Sequence, residues 1–449
     1  MIDLSRYQRA FQALPAGIIR AEVNAERIRR TTVHIRKGSA ESSEAYDQTK
    51  YYVRAGRDRL GLVYTEKPDE DAAEVLRRAA ENAEWAGRGP AAPMNGPEFS
   101  RQERQSGSEP TVSGMIALGA AVEKRLARAE ILDLSVTATT REMHTVNTLG
   151  LDTGLETRWV ELYAMISLPR KGMQPSVTET NMSSAAWQEL SPDAFASKAL
   201  RQAESYDGGG LPPMTMAGGK QDCVMTGQVM RNILMTAWRA FSLEAMQSGG
   251  SCFKSAGETV GSPVVKLVNA PSHALSGKCW PVDSEGTPMA ETVVVESGRL
   301  VHPLTTLVSA SKAGLRSGGC AGRVPCMTGN VPIALTTVPG MFYLSPEAGV
   351  TQESLIRQMK TGLVLTYSLD LFHSVSIASG AFSVPCGGYY VKDGVPVGSV
   401  SQMTVAGSLR ELFSGVEAVA DDLDFDDFYF KNYCVGSPSA LMRGLVFAS

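Results

Sequence analysis

Two stretches of the C-terminal half, residues 293–301 (VVVESGRLV) and 389–397 (YYVKDGVPV), follow one pattern: apolar runs flank Ser-Gly in the first and Asp-Gly in the second. These dipeptides supply the positive φ that tight hairpin turns need, so both stretches are predicted to be antiparallel hairpins. A third hairpin is expected where Tyr51 to Arg54 and Leu60 to Tyr64 flank the polar Gly56-Arg57-Asp58. Residues 21–36 and 132–138 alternate apolar and polar, and the second of these reads as a strand with one wet face. Helical spacing intervenes in residues 4–14, 70–85, 112–129 and 192–203, with Gly87 placed as a C-terminal cap for the second. Val229, Ile233, Ala237, Ala240 and Leu243 predict one long helix over residues 227–246.

A chain of 449 residues is too long for one core, since cores stop growing at roughly 250 to 300 residues. The break falls at residues 208–213 (GGGLPP). This gives an N-terminal α/β domain with a mixed sheet over 1–207 and a C-terminal strand-rich domain with an antiparallel or mixed sheet over 208–449. The fold class is α+β with two domains. Residues 87–110 hold four prolines and four glycines among charges, which predicts an exposed loop.

Composition excludes several roles. Apolar residues make up 43% of the chain, enough for a packed interior, while 43 basic against 47 acidic residues leave no basic excess for nucleic acid. Residues 1–20 have no signal-peptide core, and no run of ~20 apolar residues predicts a membrane span, so a cytoplasmic location is expected. Seven scattered cysteines without a C-x-x-C pair suit free, buried thiols.

The chemistry is sparse. A zinc hydrolase needs two imidazoles three or four residues apart on one helical face with a carboxylate nearby, and His34, His144, His273, His302 and His373 are far apart. Ser251-x-x-Lys254, Ser309-x-x-Lys312 and Lys360-Thr361-Gly362 match pieces of the penicillin-recognising set, but no S-D-N element joins them. Lys360 and Gly362 instead suit the end of a helix over residues 353–359, with Gly362 as its cap. Gly218-Gly219-Lys220 lacks the upstream glycine of a phosphate loop. The acidic aromatic run 421–430 (DDLDFDDFYF) lacks the features of a calcium loop and reads as a solvated helix start or a partner-facing segment. Cys320 and Cys386 lie in glycine-rich turns with no histidine near them in sequence to activate the thiol.

An ordered series of short motifs adds to this. They are Gly257-Glu258-Thr259-Val260-Gly261-Ser262, Asp283-Ser284-Glu285-Gly286, the hairpin at 295–300, Ser309-Ala310-Ser311-Lys312 and the segment 318–323 ending in Arg323. Gly380-Ala381-Phe382-Ser383, the hairpin at 389–397, Thr404-Val405-Ala406-Gly407 and Ser437-Pro438-Ser439 follow. Taken in this order the chain resembles the TldD/PmbA family, also called modulator of DNA gyrase. The resemblance extends to the layout of the N-terminal half, through residues 52–64 and Asn147-Thr148-Leu149-Gly150. Ser408 departs from it, since the family commonly has Gly-Asn where this chain has Gly407-Ser408.

The catalytic TldD branch carries H-E-x-x-x-H on a helix before the first motif. Alignment through Leu243-Glu244 places Thr236, Ala237 and Phe241 at the two histidines and the glutamate between them. None of these side chains can act there as zinc ligand or general base. Cys434 does not match the position of the branch's C-terminal cysteine and receives no metal role. The resemblance therefore implies the TldE/PmbA-type subunit: no cofactor in this chain, zinc in a TldD-type partner, and unfolded peptide as substrate. Asp283, Glu285, Gly286, Arg323 and Ser383 are its candidate cleft or structural residues. The alternatives are a non-enzymatic peptide- or protein-binding homodimer of the gyrase-modulator type, and a Ser or Cys hydrolase.

Overall fold

In a computed structural model the described residues are 2–85, 93–105, 109–169, 177–206, 210–324, 334–369, 373–426 and 433–448. The N-terminal sheet grows from a long hairpin in which Arg20–Arg36 (β1) pairs with Ser39–Gly56 (β2) through Lys37 and Gly38, both at positive φ. Leu60–Thr65 (β3) folds back on β2 as the predicted short hairpin. Arg101–Arg104 (β4), Glu130–Asn147 (β5), Asp152–Ser167 (β6) and Val177–Ser184 (β7) complete it. The strand order is β3-β2-β1-β5-β6, with β4 and β7 both pairing with β6. Only the β4–β6 pair is parallel, so the sheet is mixed.

Four helices cover one face: Ser5–Gln12 (α1), Ala72–Glu81 (α2), Val112–Arg125 (α3) and Pro192–Ser205 (α4). Each presents apolar residues at helical spacing to the sheet, as Val75, Leu76 and Ala79 of α2 do against Val23 and Val53. The expected wet face of the 132–138 strand is not wet. Ser135 and Thr137 are 6% and 8% exposed, flanked by His34 and Thr32 of β1 and by Tyr163 and Glu161 of β6, and Leu132 is the exposed residue.

The C-terminal half has two larger sheets. In one, the strands Gly219–Met225, Gly362–Ser368, Ala381–Lys392, Val395–Ser408 and Ala440–Ala448 close into a barrel, because the fourth also pairs with the fifth. The other runs from Arg299–Leu300 through Thr292–Glu296, Leu267–Ala270, Met341–Leu344 and Cys434–Ser437 to Asp424–Asp426. Both predicted C-terminal hairpins form, with Ser297-Gly298 and Asp393-Gly394 at positive φ. The architecture is α+β, with mixed sheets in both halves.

Several local expectations change. The 227–246 helix breaks into Gly227–Ala237 (α5), a 3-10 turn Trp238–Phe241, and Leu243–Gln247 (α6). Ser242 is extended there, bridging to Leu304 and capping α6 through its side chain. Leu307–Lys312 (α7) and Gln352–Met359 (α8) follow. Lys360, not Gly362, takes the positive φ that ends α8. Residues 93–105 are not simply loop, since they contain β4 and the buried Asn95. Asp424–Asp426 is a strand rather than a solvated helix start, and Asp424 pairs with Lys198 and Arg231. Gly87, Cys326, residues 427–430 and the break at 208–209 lie outside the described residues. No helix among the described residues is long and apolar enough to cross a membrane.

Candidate functional site

Cross-strand pairing of Glu22 with Arg54 and of Asn24 with Tyr52 puts these four side chains on one face of β1 and β2. It is the face away from the helices, which pack on Val23, Ala25 and Val53. Two C-terminal segments meet it. The first is a turn organised by Asp283, whose Oδ1 accepts from the N–H groups of Glu285 and Thr287 at 2.9 Å each, while Oδ2 accepts from Ala321 N–H at 2.9 Å. Gly286 sits at φ +75 within it, and a Cβ there would lie 2.8 Å from Leu151 Cδ2. The second is the segment ending in Arg323, whose Nη1 donates to Asn24 Oδ1 at 2.7 Å and whose guanidinium lies 3.6 Å from the Tyr52 ring centroid.

Glu285 joins the two halves of the chain. Its Oε2 accepts from Leu307 N–H at 2.9 Å, and its Oε1 is 3.8 Å from Arg54 Nη1. Arg54 Nε donates to Glu22 Oε1 at 2.8 Å, which makes a buried Glu–Arg–Glu series. Asn95 Nδ2 donates to Glu285 O and to Thr287 Oγ1, each at 2.9 Å. Burial pushes the Glu285 carboxyl up to about 7, with Arg54 opposing the rise. Burial and the neighbouring Glu285 also raise Asp283. Burial lowers Arg323 to about 10, and the Tyr52 phenol is pushed up to about 12 by the same cause. Beside this network lies a cavity of 230 Å³ with an apolar side formed by Leu60, Leu62 and Val308.

Of the candidate residues, Asp283, Glu285, Gly286 and Arg323 come together here. Ser383 does not: it is exposed on the barrel strand Ala381–Lys392, its N–H donating to Ser374 O. Sequence reasoning missed Glu22, Asn24, Arg54 and Asn95. The available signal was Glu22, Asn24 and Glu26 alternating with Val23 and Ala25, which marks a polar face without showing that it is covered.

The nucleophile candidates are committed elsewhere. Ser251 is fully buried and its Oγ donates to Ala240 O at 2.6 Å. Ser309 forms a capping box with Thr306 at the start of α7. Burial raises the thiols of Cys320 and Cys386 to about 12 and about 11, far from the thiolate form. Cys434 is buried in a strand.

Comparison with known proteins gives this arrangement a context. The family model for the PmbA/TldA metallopeptidase C-terminal domain matches residues 218–449, and that for domain 1 matches residues 21–83. The chain belongs to the PmbA/TldD family. It is 32% identical over 144 residues to a metalloprotease PmbA homolog of Haemophilus influenzae, and 31% identical over 153 residues to metalloprotease PmbA of Escherichia coli O157:H7. These alignments take in 32% and 34% of this chain, but only 28% and 30% of the relatives' lengths. The fold matches TldE from Thermococcus kodakarensis with a TM-score of 0.79 at 17% identity, over 99% of this chain and 100% of the other. It also matches a protein from Thermotoga maritima assigned as a modulator of a DNA gyrase, with a TM-score of 0.78 at 20% identity over 99% and 98% of the two chains.

Membership in a metallopeptidase family raises the question of whether this PmbA/TldD chain fits zinc at the aligned motif, and it does not. Thr236 and Ala237 close α5 at 4% and 0% exposure. Phe241 is fully buried, with its ring centroid 5.1 Å from Phe253, 5.8 Å from Phe342 and 6.1 Å from Phe413. An aromatic cluster surrounds Phe241, the residue that the resemblance sets against the second histidine of the motif. The five histidines are placed apart: His34 bonds Asp133, His144 bonds Asp152 and the Ile2 carbonyl, and His273 packs on Tyr343 and Phe425. His302 and His373 are exposed on other segments.

Proposed function

We propose that this chain is the zinc-free subunit of a two-subunit, cytosolic metallopeptidase that acts on unfolded peptides. The single zinc belongs to a TldD-type partner carrying H-E-x-x-x-H, and this chain covers the partner's cleft so that folded proteins are excluded. The observation that supports the reading best is the replacement of ligand chemistry by packing at Thr236, Ala237 and Phe241, on a fold otherwise like that of TldE. No step of peptide hydrolysis is assigned to a residue of this chain.

The test is purification of the chain alone and together with an H-E-x-x-x-H paralogue, followed by metal analysis and cleavage of an unstructured peptide. Zinc and cleavage are expected only in the pair. Zinc-dependent cleavage by this chain alone overturns the proposal. If the two chains never associate and this one leaves the paralogue's activity unchanged, a homodimeric binding protein becomes the better description.

A further inference from the structure

The 230 Å³ cavity between β1–β3 and α6–α7 has a charged side. Arg54 lines it at 8% exposure, with Nε on Glu22 and Nη1 towards Glu285, while its Nη2 is sealed off and has no hydrogen-bond partner among the described residues. A buried guanidinium donor without an acceptor is costly. Glu22 holds the Nε edge of the guanidinium, whereas Glu285 Oε1 is 3.8 Å from Nη1, beyond hydrogen-bond distance, so an anionic oxygen in the cavity can compete for this end. Arg323 lines the same cavity, and Lys312 stands exposed in its wall with no ion pair among the described residues.

We propose that this cavity binds the carboxylate of a peptide, received by Arg54 and drawn in by Arg323 and Lys312, with the adjoining side chain against Leu60, Leu62 and Val308. The choice of a peptide rests on the function proposed above; the choice of a carboxylate rests on the cavity alone. An arriving anion comes close to Glu285, which faces Glu22 from β1, Arg54 from β2, Arg323, Asp283 of its own turn, Leu307 N–H from α7, and, around the cavity, Lys312 and Glu244. The anion favours the protonated form of Glu285, so binding takes up a proton when Glu285 starts ionised. With that carboxyl at about 7, affinity is full near pH 6 and falls by about tenfold by pH 8.

The experiment is calorimetric titration of the full chain, without any partner, using three probes: N-acetyl-tetra-alanine with a free carboxylate, its amide, and an amidated acetyl peptide containing one aspartate. The free carboxylate should bind and the amide should not. Binding of the aspartate peptide as well assigns the site to carboxylates in general, and its failure assigns it to chain ends. Equal binding of acid and amide, or no binding of either acid at millimolar concentration, overturns the proposal. Glu285→Gln should bind the acid with the pH dependence removed, and a persisting tenfold fall in that variant refutes the proton linkage. Lys312→Gln changes an exposed residue and should weaken binding about threefold at low salt with the fold intact; unchanged affinity speaks against the site. Because the partner is absent, failure here leaves subunit pairing untouched, and failure to pair leaves this result standing.

Discussion

Phe241→Ala probes the packing that the proposed function sets in place of ligand chemistry. The phenyl ring is fully buried and meets three other rings at 5.1, 5.8 and 6.1 Å. Removing such a side chain costs about 3–5 kcal/mol through lost transfer energy and the cavity left behind. Three aromatic neighbours, each worth about 0.5–1.5 kcal/mol beyond area, place the expected loss near the top of that range. Phe241→Leu keeps most of the volume and should cost less than about 1.5 kcal/mol. Urea unfolding followed through tryptophan fluorescence reads the difference, since Trp238 is buried three residues earlier. A loss below about 1 kcal/mol for Phe241→Ala would show that the ring is not held in a close-packed core, and the argument against metal at this position would fail with it. The stricter form restores the whole motif with Thr236→His, Ala237→Glu and Phe241→His. A carboxylate at the fully buried Ala237 has no paired partner, so this triple variant should unfold rather than gain zinc. A folded triple variant that binds one zinc refutes the reasoning.

Three further outcomes follow from particular contacts. Gly286→Ala combines a positive φ with an approach of 2.8 Å to Leu151 Cδ2, and should lower stability by about 1–3 kcal/mol in urea melts; a neutral effect would mean that the 283–287 turn readily relaxes. Cys320 and Cys386 should resist a thiol reagent at pH 8 until the protein is denatured, because burial holds both far above that pH, and rapid labelling in the native state would contradict their burial. Burial would raise the Asp424 carboxyl, but Lys198 and Arg231 hold it below its ordinary value of 3.8. Its folded pKa is therefore depressed, so its stabilisation is present above that value and is lost as pH falls through the folded pKa. Asp424→Asn should accordingly reduce stability at neutral pH and flatten the decline below about pH 4, and an unchanged acid limb would refute this.

The sequence made local structure legible wherever one short-range preference governed it. Ser297-Gly298 and Asp393-Gly394 form turns because few residue pairs adopt those angles easily, and α2 through α4 lie close to their predicted spans because their apolar stripes meet a sheet. The failures share a cause in tertiary contact. The long helix predicted from Val229 to Leu243 breaks at Ser242 because the backbone there bridges to Leu304, more than sixty residues away. Ser135 and Thr137 of β5 become buried because residues of the strands on either side flank them on the same face. The candidate site was half visible in the same way. Asp283, Glu285, Gly286 and Arg323 belong to recognisable turns, whereas Glu22, Asn24 and Arg54 become partners only once strand register and docking are known.

The buried Glu22–Arg54–Glu285 series is difficult to explain by stability alone. Apolar side chains of similar volume in such a place are often as stable or more so, because desolvating the charges offsets much of their attraction. Holding the two halves together does not require it either, since Asn95 already bonds across with neutral groups and Met143, Leu155 and Val282 pack across the same boundary. The series does three things that apolar packing cannot. It fixes one guanidinium edge beside a cavity, leaves one donor of that guanidinium without an acceptor among the described residues, and sets a carboxyl near pH 7 next to it. Those properties are worth their desolvation cost only if something charged enters the cavity, so the most informative single measurement on this wall is whether a peptide carboxylate binds there and takes up a proton as it does.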